Sequence, residues 1–156
     1  WAYWTSMDDL DFCEIDPEHV VELGDKLKVR LARVLLRNDL SALACLCIVG
    51  DMYLRGCTGL TALPDVLSVS GYLDLNGCTG LTALPDNLSV GGDLYLRGCT
   101  GLTALLAGLS VGGDLYLGNC TGLTCLPAGL SVGGYLDLRG CTTALKDDAT
   151  RRGLRW

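Results

Sequence analysis

The chain has one histidine, only four prolines and no apolar run near the ~18 residues of a membrane span. His19 stands alone, with no serine or cysteine motif beside it, which leaves little for acid–base or nucleophilic catalysis. The phosphate-cradling GxxxxGK[ST] and zinc-binding HExxH motifs are absent. The Gly-Gly-Asp triplets at 91–93 and 112–114 lack the spacing of calcium-binding repeats. Basic residues are outnumbered, with 12 Lys and Arg against 18 Asp and Glu and a net charge of −6. That balance argues against nucleic acid as the partner, because phosphate binding needs a basic face. Residues 142–156 are basic but too short to form such a site alone. The chain opens on Trp1 rather than methionine, and its acidic start has no apolar leader core. A fragment of a longer protein, without a signal peptide, is therefore expected. No catalytic residue, metal or cofactor is expected either. An enzyme or ligand-binding protein using Cys45, Cys47 or Cys125 is the reading left for chemistry.

What is present is repetition. The 156 residues suit one domain or a short stack of repeats, and 49% apolar with 19% charged residues excludes a disordered chain. Twenty-one glycines point to many tight turns. Five of the nine cysteines, Cys57, Cys78, Cys99, Cys120 and Cys141, follow one another at intervals of 21 residues. A disulfide framework rarely keeps one fixed period, and zinc would want close pairs with histidine. The reading favoured here is one small buried thiol per repeat in an equivalent slot, with disulfides and metal as the alternatives. Free buried thiols favour a reducing compartment inside a cell.

Aligned on those cysteines, the units are nearly identical: GYLDLNGCTGLTALPDNLSV from Gly71, GDLYLRGCTGLTALLAGLSV from Gly92, GDLYLGNCTGLTCLPAGLSV from Gly113. An earlier copy starts at Gly50 and a shortened one at Gly134. A period of this length marks stacked units, none able to bury its apolar face alone. Tyr72-Leu73-Asp74-Leu75 alternates polar and apolar, as a short half-buried strand does. Leu81, Leu84, Leu88 and Val90 return around Pro85, which leaves little room for a helix.

The spacing Leu84-Pro85-x-x-Leu88, then Leu94-x-Leu96-x-x-Cys99, then Leu102, resembles a leucine-rich repeat of the short bacterial type. It is similar to the repeats of secreted bacterial effector proteins, over residues 40–145 or so. Here cysteine takes a slot usually held by asparagine, with one extra residue before the next leucine. The resemblance implies an α/β solenoid with one parallel sheet of about five strands and little helix on the convex side. It also implies a helical cap before the repeats and a bacterial cytoplasmic setting or delivery into a host cytosol. The alternative it implies is that the chain is the substrate-recognition fragment of an effector, such as a ubiquitin ligase, whose catalytic domain lies outside it. A two-sheet parallel β-solenoid, with Leu88-Ser89-Val90 as the second strand, is the alternative architecture.

Residues 1–49 read as an N-terminal helical cap. Asp16-Pro17-Glu18 makes a good helix start, and Val20, Leu23, Leu27, Leu31, Val34 and Leu35 form a stripe at helical spacing. Trp1, Tyr3 and Trp4 are expected to pack on it. The solenoid then spans 50–145, and 146–156 close its other end as a cap or tail, with Trp156 folding back.

The residues that the interior does not need stand on each strand six, four and two places before the ladder cysteine. The first column is Asp51, Tyr72, Asp93, Asp114 and Tyr135; the second is Tyr53, Asp74, Tyr95, Tyr116 and Asp137. The third is Arg55, Asn76, Arg97, Gly118 and Arg139. Tyrosine and arginine dominate binding hot spots, because each joins a broad contact face to a directional polar group. A protein or peptide partner on this face is expected, with no nucleic acid and no membrane. Open ends leave room for a weak homodimer. The competing reading is a solvated sheet with no ligand, held by cross-strand pairs. A remoter one is surface adsorption through Thr58, Thr79, Thr100 and Thr121, residues that turns explain equally well.

Overall fold

The computed structural model describes residues 48–156 in full, and the backbone of Val21–Leu23, Val29–Arg30 and residues 45–47. The strands are β1 (Val21–Leu23), β2 (Val29–Arg30), β3 (Cys45–Ile48), β4 (Met52–Tyr53), β5 (Val66–Val69) and β6 (Leu73–Asp74). They continue as β7 (Asn87–Val90), β8 (Leu94–Tyr95), β9 (Ser110–Val111), β10 (Leu115–Tyr116), β11 (Ser131–Val132) and β12 (Leu136–Asp137). One helix, α1 (Thr143–Arg151), follows. Among the described residues no helix is long and apolar enough to cross a membrane.

The architecture is a parallel β-solenoid with little helix, as the repeat period requires. Odd-numbered strands form one six-stranded parallel sheet and even-numbered strands another. The expected parallel sheet is present, and the return path is a second sheet of its own, as in the two-sheet alternative. Leu88 and Val90 point inward while Asn87 and Ser89 are exposed, a period of two that a parallel neighbour 21 residues away can extend. Both sheets turn their apolar faces to a shared core in which Leu54, Leu75, Leu96, Leu117 and Leu138 are fully buried. No turn could bury these leucines by itself, so the stack stabilises them jointly.

Two local devices hold the turns in register. The residue before each ladder cysteine is left-handed: Gly56, Gly77, Gly98 and Gly140 have φ between 72° and 74°, and Asn119 has φ 62°. Asparagine is the non-glycine residue that best tolerates this region. At the opposite corner the glycines stack backbone on backbone, Gly92 N–H donating to the Gly71 carbonyl at 2.8 Å. A Cβ on Gly92 would lie 2.8 Å from the Gly71 carbonyl carbon, so nothing larger fits.

Most of the expected N-terminal cap, including His19, Trp1, Tyr3, Trp4 and the Asp16-Pro17 start, lies outside the described residues. The two described pieces of the stretch read as helix are strands: Val21 pairs with Leu46, and Val29 with Met52. Pairing to an open sheet edge outweighs helical spacing in these valine-bearing segments. Those partners are 25 and 23 residues apart, off the 21-residue period, so no repeat signal marks this turn.

At the other end α1 closes the core, with Leu145 and Ala149 fully buried. Thr142 is its N-cap, accepting from Leu145 N at 3.3 Å and donating to the Leu123 carbonyl at 2.9 Å. Asp148 takes the Leu126 N–H at 3.0 Å, while Arg152 donates to the Leu126 and Pro127 carbonyls at 2.8 and 2.9 Å. Trp156 does fold back, with the Lys146 ammonium 5.6 Å from its ring.

Candidate functional site

The outer face of the even-numbered sheet carries the three polar columns. Strand pairing places Tyr53 beside Asp74, Asp74 beside Tyr95, Tyr95 beside Tyr116 and Tyr116 beside Asp137. Arg30 holds the preceding register position, opposite Tyr53, a member of the column that the cysteine alignment did not reach.

The first column serves the backbone as well as the surface. Asp51, Asp93 and Asp114 each accept, through Oδ1, the backbone N–H one turn later: Tyr72 at 3.0 Å, Asp114 at 2.8 Å and Tyr135 at 2.7 Å. Asn76 in the third column accepts the Arg97 N–H in the same way at 2.8 Å. The second carboxylate oxygens of Asp93 and Asp114 accept the Tyr95 and Tyr116 hydroxyls at 2.9 and 2.8 Å. Burial and the bond to Asp93 push the Tyr95 phenol up to about 12. The Tyr116 phenol is raised first by its bond to Asp114. The Tyr135 N–H and the Tyr116 hydroxyl hold the Asp114 carboxyl below its ordinary range.

Four rings form one continuous row. Tyr53 meets Tyr72 edge to face at 5.1 Å, Tyr72 meets Tyr95 at 6.0 Å and 81°, and Tyr95 stacks on Tyr116 at 4.7 Å and 7°. The row survives the aspartate at position 74 because the order of tyrosine and aspartate is swapped in that turn. Tyr72, one column over, bridges the gap. All four tyrosines are half-buried. Tyr135 is 48% exposed and stands apart from this row.

Beyond Tyr116 the row ends in charge. The Arg97 guanidinium lies 4.5 Å from the Tyr116 ring centroid and reaches Asp137 at 2.7 Å. Arg139 grips the same carboxylate at 2.8 and 2.9 Å. Asp137 is therefore 1% exposed. Counted from the sequence among the displayed residues, it lies under the two arginines, which hold its carboxyl far below the usual range. Arg55 remains exposed at the other end of the third column.

The ladder cysteines lie inside. Cys78, Cys99, Cys120 and Cys141 donate their thiols to the carbonyls of Leu54, Leu75, Leu96 and Leu117 in the preceding turn, at 2.9–3.1 Å. Burial pushes Cys78 and Cys120 up to about 12 and Cys99 to about 11, so these thiols stay protonated. Cys57 is also buried and free, whereas Cys125 is exposed. Cys45 and Cys47 lie in β3. The threonines Thr58, Thr79, Thr100 and Thr121 are all exposed on the turn that follows the ladder. Compared with protein families, curated proteins and solved structures, the chain matches none.

Proposed function

We propose that this chain is a non-enzymatic interaction module that binds a protein or peptide along the tyrosine row of the even-numbered sheet. The continuity of the row carries the reading: four rings from four successive turns touch in sequence, kept continuous where the second column breaks at Asp74. Half-buried rings on a rigid sheet lose little side-chain entropy when covered, which favours them as contact residues. The five repeat strands β4, β6, β8, β10 and β12, about 4.8 Å apart and each showing five residues at about 3.3 Å, make a face of roughly 340 Å². A standard interface buries ~800 Å² on each partner, so a short motif fits the face better than a domain.

Affinity capture, comparing the chain with its Tyr53→Ala/Tyr95→Ala/Tyr116→Ala variant, tests this reading. A protein held by the first and lost by the second, with both still cooperatively folded, supports it. Identical captured sets sink it.

A second reading has its own support. The Asp93–Tyr95, Asp114–Tyr116 and Arg97–Asp137 bonds satisfy one another without any partner, as a purely structural sheet would. The finer suggestion, a leucine-rich recognition segment of a bacterial effector working in a reducing cytosol, rests on the repeat's resemblance. Reading the gene on both sides of these residues tests it: no companion domain would remove that suggestion.

A further inference from the structure

We infer that the segment accepted by this face is extended and carries arginine or lysine side chains, which seat on the tyrosine row between Asp51, Asp74 and Asp93. This rests on the reading that the face binds a partner, and it specifies that partner's chemistry.

Three observations carry it. First, charge is divided across the face. Asp51, Asp74, Asp93 and Asp114 fill the first and second columns, and among the described residues none of them is in an ion pair. Among the described residues the arginines of this face stand in the third column, and two of the three, Arg97 and Arg139, are committed to Asp137. Second, the hydroxyls of Tyr95 and Tyr116 already donate to carboxylates. They have no proton left for a partner, and a phenol that donates to an anion has a more electron-rich ring. The central face therefore offers acceptors and π-faces and is short of donors, so an occupant must supply donors and positive charge.

Third, the row already holds one cation. The Arg97 guanidinium sits 4.5 Å from the Tyr116 centroid, within the ~6 Å reach of a cation–π contact. The arrangement of ring and neighbouring carboxylates recurs at Tyr53, beside Asp51 and Asp74, whose charges raise its phenol after burial does, and among the described residues no cation lies over that ring. A guanidinium or ammonium from another chain would repeat there what Arg97 does within the fold. Arg55, exposed at the same end of the third column, would repel a cation and so keep it toward the first two columns.

The test uses a fluorescein-labelled twelve-residue peptide alternating arginine with serine, and matched peptides with glutamine or glutamate in place of arginine. Fluorescence anisotropy on the whole chain should show the arginine peptide binding about tenfold more tightly than the glutamine peptide, and the glutamate peptide not at all. Asp51→Asn/Asp74→Asn, which preserves the Oδ1 acceptors, should remove that advantage. Asp65→Asn/Asp86→Asn, which takes the same charge from exposed sites outside the columns, should leave it within about twofold. Equal binding of arginine and glutamine peptides, or equal losses in the two double variants, overturns the inference. The two proposals fail separately. If the triple tyrosine variant loses a captured protein that Asp51→Asn/Asp74→Asn retains, the face binds by other means and only the cationic occupant is wrong. If the triple variant retains it, both fall.

Discussion

Arg97 reaches Asp137 across 40 residues of sequence and two turns of the solenoid, because Gly118 between them has no side chain. A Cβ at Gly118 would lie 3.5 Å from Arg97 Cγ and 3.6 Å from Asp137 Oδ2. One missing side chain thus lets an arginine skip a turn, cover the Tyr116 ring and join Arg139 in burying a carboxylate.

Substitutions at this clamp should separate its parts. Asp137→Asn should cost about 1–3 kcal/mol at neutral pH, the range for losing charge-assisted hydrogen bonds. Gly118→Arg restores the residue that Arg55, Arg97 and Arg139 place in this column. It should displace Arg97 from Asp137 but cost no more than about 1 kcal/mol, because Arg139 remains and Arg97 can return to water. Urea unfolding measures both, and an unchanged Asp137→Asn would show that the clamp contributes nothing.

Acid should weaken the fold through the same carboxylate. The folded state holds Asp137 ionised well below its unfolded range, so its stabilisation is complete above roughly pH 5 and is lost progressively as pH falls below the ordinary carboxylate value toward the lower folded one. Unfolding free energy measured from about pH 5 to pH 2 should fall less steeply in Asp137→Asn than in the parent. Parallel curves would refute this. Asp114 and Asp148 are lowered as well and contribute to the slope that remains.

Alkali should act through the thiol ladder, with the opposite sign. Cys78, Cys99 and Cys120 are raised to about 12, 11 and 12 from 9.0. Their contribution is present below the ordinary thiol value and is lost as pH rises toward the folded values. Replacing all three with alanine should flatten stability between about pH 9 and pH 11. A slope indifferent to the substitution would assign alkaline unfolding to other groups.

Thiol labelling distinguishes the same cysteines kinetically. Cys125 is exposed, whereas Cys57, Cys78, Cys99, Cys120 and Cys141 are buried. In the native chain Cys125 should react with Ellman's reagent at the rate of a free thiol. The ladder should react only as fast as the solenoid opens, and faster in urea. Ladder thiols labelled as quickly as Cys125 would mean that the core is open.

The helix should be required by the last turn. Leu145→Ala removes a fully buried side chain and should cost about 2–5 kcal/mol. Asp148→Ala leaves the Leu126 N–H without its acceptor and should cost about 1–3 kcal/mol. Thermal unfolding of both variants checks the claim that α1 acts as a cap.

Much of this is legible residue by residue. The 21-residue interval between cysteines is enough to align Tyr53, Asp74, Tyr95, Tyr116 and Asp137 in one column, and strand pairing puts them there. The Leu-Ser-Val triplets already alternate, yet they are too short to separate a second sheet from an extended return until neighbouring turns pair with them. The valines near residues 21 and 29 sit within helical spacing, and only the edges of the two sheets make them strands. The buried slot of the cysteines is readable from their period, but the leucine carbonyl that each thiol meets, 24 residues earlier, is not.

The primary structure therefore determines the period, the inward leucines, the glycine corners and the three outward columns, because strand alternation and turn geometry are local. Tertiary structure decides which column members touch: Tyr72 bridging Tyr53 and Tyr95, Arg97 passing over Gly118, and Asp137 disappearing beneath two arginines. Those outcomes depend on turns stacked about 4.8 Å apart. That spacing is shorter than a tyrosine or arginine side chain, so each such residue reaches its neighbours, and the next turn decides where it rests.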